Sequence, residues 1–261
     1  MPPYVDAVGT EHAVAGSDAR IVSLVPSVTE LLCELGLAPQ VVGRSGFCIH
    51  PRDVVRSIAK VGGTKDVDVD HIRELAPTHL VVNVDENRKE TVEELACFVP
   101  SIVVTHPLAP EDNLGLYRLL GGVFDRPDEA QRLCDEFATA FDALEARTFP
   151  PTNVLYLIWR DPWMTVSRDT YISRTLALVG WETVPASAAD RYPEVDPAAI
   201  AGSVERVLLP SEPYRFREKH LAEVEALVPG AQVTLIDGEM TSWYGSRAIA
   251  GLRYLADYVN S

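Results

Sequence analysis

The stretch from Pro127 to Arg147, PDEAQRLCDEFATAFDALEAR, constrains this chain more than any other. Leu133, Phe137, Phe141 and Leu144 recur at three- and four-residue spacing, with Cys134 and Ala138 beside them, while Asp135, Glu136, Asp142 and Glu145 fall on other faces. Asp125 is placed to cap the start and Pro127 suits the first turn. Asp128 and Glu129 sit where the helix dipole favours carboxylates, with Arg147 at the opposite end. The pattern predicts one helix, roughly 30 Å long at 1.5 Å per residue, closed off by Phe149-Pro150-Pro151. A rigid rod in mid-chain implies separate cores on its two sides.

Both sides alternate short apolar runs with helical patterns. On the first side, Ile21 to Val25 reads as a strand ending at Pro26. Ser27-Val28-Thr29-Glu30 then reads as a capping box with Ser27 as N-cap, so a helix opens at the strand's carboxyl end, where parallel α/β sheets bind ligands. Val41 to Gly43, Thr78 to Val84 and Ser101 to Thr105 are further strands; Val69 to Ala76 and Lys89 to Phe98 are helices. Glu111 to Phe124 is a helix that Gly121-Gly122 interrupt. Beyond the rod, strands are expected at Val154 to Trp159, Met164 to Ser167, Val207 to Leu209 and Val233 to Ile236. Helices are expected at Tyr171 to Val179, Lys219 to Val228 and Ser246 to Val259. This alternation predicts an α/β fold of two Rossmann-like lobes joined by a single long backbone helix. The expected divisions are a lead-in at 1–19, a first lobe at 20–108, a linker with the backbone helix at 109–149, and a second lobe at 150–261.

Composition narrows the function classes. At 261 residues and 47% hydrophobic content the chain is long enough and apolar enough for such cores. Its formal net charge of −15 opposes nucleic acid and anionic membrane as partners. The first twenty residues contain Asp6, Glu11 and Asp18 and no apolar core of signal-peptide length, and no later run approaches a membrane span. As it stands, the sequence therefore reads as cytoplasmic, with no membrane insertion. Cys33, Cys48, Cys97 and Cys134 have no paired spacing, which suits reduced thiols.

Four segments carry a resemblance. RIVSLVPSVTELLCELGL, VVGRSGFCIHP, KVGGTKDVDVDHIRELAPTHLVV and the long helix between two α/β halves resemble the helical-backbone (class III) substrate-binding proteins that serve cobalamin and ferric-siderophore ABC importers. The Phe47-Cys48-x-x-Pro51 piece is most similar to the cobalamin-binding branch. The resemblance implies a bulky ligand, a corrinoid such as cobalamin or a ferric chelate, held in the cleft between the lobes with little hinge motion. It also implies a location outside the cytoplasm and an ABC permease as partner. Asp70 matches the acidic residue that such proteins present to the permease from the first lobe, whereas Ala198 stands where the second lobe's acid is expected.

Several residues have the chemistry such a site needs. Phe47, Cys48 and His50 lie in one loop, with the thiol and imidazole two residues apart. Together with His106, at the end of a neighbouring strand, they are candidate ligands for a metal or for the metal centre of a bound molecule. Cys48 packed inside and His50 in a turn is the plainer reading. Asp85 and Arg88 follow a buried strand where a sheet delivers its loop, and Arg88 suits carboxylate or phosphate. Trp159, Arg160 and Trp163 make a charged aromatic loop, and Glu239, Trp243, Tyr244 and Arg247 make its counterpart. Arg247 is placed to meet an anionic group or the Glu239 carboxylate, and the rings suit a flat macrocycle.

The chain contains no G-x-S-x-G elbow, no H-E-x-x-H and no complete phosphate loop; Gly62-Gly63-Thr64-Lys65 is a fragment of one. Binding of a small-molecule ligand, as for an ABC importer or a cytosolic relative of one, with no catalysis and no required cofactor, is the expectation. The alternative left open is a metal-dependent enzyme built on Cys48, His50 and His106.

Overall fold

A computed structural model describes residues 4–186 and 190–259. The chain divides into two units: residues 1–107, 111–137 and 244–247 form the first, and 108–110, 138–243 and 248–261 the second.

The first unit begins with a small antiparallel hairpin, β1 (Tyr4–Val5) and β2 (Glu11–His12). Two-residue strands carry no periodicity, so the lead-in gave no sign of it. Asp6 holds the hairpin in place. Its carboxylate accepts the backbone N–H groups of Val8, Thr10 and Val104 and lies 3.1 Å from His12 Nε2. There follow β3 (Ile21–Ser23), α1 (Pro26–Glu34), β4 (Val41–Arg44), α2 (Arg52–Val55), β5 (Ala59–Lys60), α3 (Val69–Glu74), β6 (His79–Asn83), α4 (Lys89–Leu95) and β7 (Ser101–Thr105). The strands pair in the order β5-β4-β3-β6-β7, all parallel. Val22, Leu24, Leu80 and Val82 are buried with Val61, Ile72, Leu95 and Val99, so both the strands and the crossovers between them fill one core.

Helix α1 begins two residues earlier than the capping-box reading places it. Val25 is the N-cap, with no side-chain cap bond, and Pro26 occupies the first turn, where its missing N–H costs nothing. Ser27 is therefore helical and buried.

Helix α5 (Asp112–Val123) runs through Gly121 and Gly122 without interruption. A Cβ at Gly121 would collide with Ala130 and the Arg126 carbonyl, and one at Gly122 with the Tyr4 ring. These glycines permit close approach rather than breaking the helix. Asp125, at φ +54°, closes α5: Arg126 N–H reaches Gly121 O at 2.6 Å and Asp125 N–H reaches Gly122 O at 3.4 Å. That is the left-handed ending described for helix C-termini, in place of the expected cap on the next helix.

Helix α6 (Pro127–Glu145) is the long rod, 19 residues or roughly 28 Å. Ala130, Leu133, Cys134, Phe137, Ala140 and Leu144 are its buried stripe, and the boundary between the units falls within it, after Phe137.

The second unit contains β8 (Thr152–Trp159), β9 (Met164–Thr165), α7 (Tyr171–Ala177), β10 (Trp181–Thr183), β11 (Arg206–Pro210), α8 (Leu221–Leu227), β12 (Gln232–Ile236) and α9 (Gly238–Ser242). Most of α10 (Arg247–Tyr258) also belongs to it. Strands pair as β10-β8-β11-β12 in parallel, with β9 antiparallel on β8. Leu155, Leu157, Val207 and Leu209 meet Phe216, Val224 and Val228 in its core. The turn of helix α9 stands where an irregular loop was expected, because the Asp237 side chain accepts Glu239 N–H and caps it.

Candidate functional site

In each unit the residues with binding chemistry collect at the carboxyl ends of the parallel strands. In the first unit, β4 delivers the Ser45–Pro51 loop. Phe47 and Ile49 point outward, 62% and 49% exposed, while Cys48 between them is fully buried. Its Sγ lies 3.0 Å from Thr29 Oγ1 and 3.2 Å from Ser45 Oγ, and burial pushes the thiol up despite those hydroxyls. Cys48 is thus an inner strut of the loop, which turns at Gly46 and Phe47 and brings the Cys48 N–H to Ser45 O at 3.2 Å.

Strand β6 delivers Val84 to Arg88, whose shape is fixed by its own amides. Asn83 Oδ1 accepts Asp85 N–H, Asn87 Oδ1 accepts Asn83 N–H, and Asn87 Nδ2 donates to Thr64 O. Val84 remains 46% exposed at the rim. Asp85 Oδ2 lies 3.4 Å from His106 Nε2 at the end of β7, both side chains about a quarter exposed. Arg88 turns to Asp66, 3.8 Å away on the open surface. His50 is half-buried.

Tyr244 and Arg247 also belong to this unit. Tyr244 is buried, its hydroxyl donating to Glu86 Oε1 at 2.6 Å. Burial first, and then the Glu86 charge, push it well above the usual tyrosine range, with Ser27 beside it. Arg247 makes a two-pronged pair with Glu30 at 2.8 and 2.6 Å. Both therefore secure the first unit's frame.

In the second unit the aromatic loop is assembled as a cluster. Trp159, at the end of β8, is 43% exposed and edge-on to Tyr214 at 5.6 Å. Tyr214 leans on Phe216, and Trp163 stacks on Phe216 with an interplanar angle of 5°. Arg160 lies 5.8 Å over Trp163 and gives a forked hydrogen bond to Glu223. Trp243 is buried, its indole N–H donating to Glu212, which also accepts the Ser242 hydroxyl at 3.1 Å. Burial pushes the Glu212 carboxyl up, the two donors oppose that, and the neighbouring Glu239 charge reinforces it. Glu239 itself is half-buried on α9.

The sequence thus located the loops but not every partner within them. The Glu212-Pro213-Tyr214-Arg215 stretch after the Val207 to Leu209 strand reads from the sequence as a weaker third contributor, but Phe216 sits in a short polar stretch without periodicity, and Glu30 and Glu212 meet their partners only through the tertiary fold. Exposed Ile49 and Val84 were legible only as ends of apolar runs. Cys48, His50 and His106 are not assembled as a metal centre: among the described residues no three His, Cys, Asp or Glu side chains are grouped to hold an ion. Asp70 lies in the first turn of α3, its side chain 88% exposed and 2.6 Å from Arg73; Ala198 is exposed too. No helix among the described residues is long and apolar enough to cross a membrane.

A family model described as periplasmic binding protein matches residues 21–213. The chain belongs to the periplasmic binding protein family. Among relatives of this periplasmic binding protein, the vitamin B12-binding protein of Photorhabdus laumondii is 24% identical over 186 residues, covering 70% of this chain and 67% of the relative. The vitamin B12-binding protein of Vibrio parahaemolyticus is 24% identical over 203 residues, 77% of this chain and 71% of the relative. Among solved structures, the periplasmic vitamin B12 binding protein BtuF of Vibrio cholerae superposes with a TM-score of 0.81 at 17% identity, covering 92% of this chain and 96% of that one. The periplasmic heme binding protein HutB of Vibrio cholerae gives 0.77 at 21% identity, covering 94% and 100%. They share the two-unit α/β fold with a long connecting helix, and this chain is a substrate-binding protein of that family.

Proposed function

We propose that this binding protein carries a corrinoid such as cobalamin, with a ferric chelate as the next class, and hands it to an ABC permease outside the cytoplasm. The observation that carries the reading is the ring cluster at the ends of β8 and β11. Trp159 is 43% exposed and meets Tyr214 edge-on, and Tyr214 is braced in turn by Phe216 and, through it, Trp163. The first unit's loops expose Phe47, Ile49 and Val84 and also carry the paired Asp85 and His106, so a ligand with both a broad apolar plane and polar edge groups is suited to them. The names of the relatives support a corrinoid, and those of the structural neighbours add heme as a second planar metal chelate.

On this reading binding is the whole task. No side chain performs a chemical step, no resident cofactor is required, and elemental analysis of the purified protein is expected to find no stoichiometric zinc or iron. Asp70 is the proposed docking contact for the permease, and the exposed Ala198 in the second unit gives that contact no acidic counterpart.

Isothermal titration and visible spectra with cyanocobalamin, cobinamide, hemin and a ferric siderophore test the reading. Saturable corrinoid binding, weakened about tenfold by Trp159→Ala or Phe47→Ala as expected for losing a stacking ring, supports it. The absence of heat and spectral change with both corrinoids overturns it.

A further inference from the structure

The second unit has a cavity of about 240 Å³, lined by Arg147, Phe149, Thr152, Trp181, Arg206 and Val259 among others. Thr152, Trp181 and Arg206 are the first residues of β8, β10 and β11, so the cavity lies at the amino-terminal edge of the sheet. The ring cluster lies at the other end. Along β8, Thr152 and Trp159 are separated by roughly 23 Å at about 3.3 Å per residue. The cavity is therefore distinct from the proposed ligand loops of this unit.

Two guanidiniums line it, each laid on an aromatic ring. Arg206 lies 5.1 Å over Trp181, and Arg147 lies 4.9 Å over Phe149 while giving one N–H to Ala256 O at 2.7 Å. Among the described residues neither meets a carboxylate. The acids adjacent in sequence are engaged elsewhere: Glu205 accepts Asn153 N–H at 3.1 Å, and Glu182 pairs with Arg168 at 2.7 Å. In a chain of net charge −15, acids are plentiful, yet among the described residues these two cations face a cavity lined by none. A guanidinium stacked on a ring keeps its in-plane N–H groups for an oxyanion, and that planar fork matches carboxylate and phosphate oxygens.

We propose that this cavity is a second binding site, for a small oxyanion: a carboxylate or phosphate, free or as the end group of a larger molecule. Its volume falls below the range of about 300–1,000 Å³ usual for drug-sized ligands, which favours a ligand of few atoms.

Titration of the full chain at low ionic strength with inorganic phosphate, malonate and uncharged malonamide tests this, followed by calorimetry and by NMR of the arginine Nε–Hε signals. The expected result is saturable binding of phosphate or malonate, none of malonamide, and at least tenfold weaker binding in Arg206→Ala and Arg147→Ala. Arg206→Lys keeps the charge and the apolar stem but loses the fork, so it should fold normally and bind with an intermediate affinity. Trp159→Ala, at the other end of the sheet, should leave anion binding unchanged. Failure of both anions to bind the wild-type chain overturns the proposal, as does equal anion affinity in the wild type, Arg147→Ala and Arg206→Lys proteins.

Discussion

At the carboxyl ends of its strands the first unit ties its loops down with amide hydrogen bonds, Asn87 to Asn83 and Asn87 to Thr64, whereas the second covers the same positions with rings, Trp159 on Tyr214 and Trp163 on Phe216. The supporting sheets are alike: each has four or more parallel strands over a core of valine and leucine. The difference lies in what happens when one side chain is lost. Directional bonds fail singly, leaving a donor or acceptor without a partner, while a packed ring fails by volume and takes its neighbours with it.

The largest test removes a ring. Phe216→Ala is expected to lower stability by about 3–5 kcal/mol, whereas Asn87→Ala in the first unit should lower it by only about 1–3 kcal/mol. Denaturant melts giving equal losses would erase the contrast.

Ion pairs come next. Arg247→Ala leaves Glu30 mostly buried without its partner, since the two side chains are only 13% and 15% exposed. A loss of about 2–3 kcal/mol is expected, below the full range for a wholly buried pair. Arg160→Ala removes a pair that water largely screens and should shift the melting midpoint far less.

Within α5, Gly121→Ala is expected to cost about 1–3 kcal/mol because the new methyl meets Ala130 and Arg126 O. Gly115→Ala, with open space around its Cβ, should stabilise by up to about 1 kcal/mol. If both glycines respond alike, close approach does not explain Gly121.

The smallest effect is in pH dependence, where the units have opposite signs. At Asp6 burial pushes the carboxyl up, but the Val104 N–H, His12 and the Thr10 and Val8 N–H groups together outweigh it and hold it below 3.8. That carboxylate contributes stability above pH 3.8, lost as pH falls through its folded value. Glu212 is held above 4.5 because burial prevails over the Trp243 and Ser242 bonds. Its contribution is present below pH 4.5 and is lost as pH rises through its folded value. Melts at a series of pH values should therefore show Asp6→Asn flattening the acid limb and Glu212→Gln flattening the limb above 4.5.

The sequence was most legible where one chain segment sufficed. THLVVN and VLYLIW read as strands because their apolar runs are unbroken, and α6 because its stripe and first-turn acids agree with each other. It was least legible where the deciding partner is far along the chain. The glycine pair in α5 read as a break because the atoms it accommodates belong to Ala130 and Tyr4. Trp243 read as a ring suited to a flat macrocycle, with no sign that its indole finds Glu212, and Arg247 finds Glu30 across 217 positions. The candidate loops were located by strand ends alone; which side chain faces outward was decided by packing that no local pattern encodes. Phe47 and Cys48 are adjacent, and only the buried hydroxyls of Thr29 and Ser45 decide which turns in.

Residues 244–247 belong to the first unit, although over a hundred residues separate them from Phe137, where its preceding segment ends. Asn113 Oδ1 accepts Gly245 N–H at 2.6 Å, and Tyr117 gives its hydroxyl to Gly245 O at 2.9 Å. Glu86 and Glu30 wait for Tyr244 and Arg247. At about 5–20 residues per second a ribosome needs roughly 5–20 s to make the intervening chain. During that interval the first unit exists without its last four residues and without the bonds they make to Asn113, Tyr117, Glu86 and Glu30. Its maturation is therefore timed by the translation of the second unit, and a nascent chain stalled before Tyr244 would present the first unit in its least finished form.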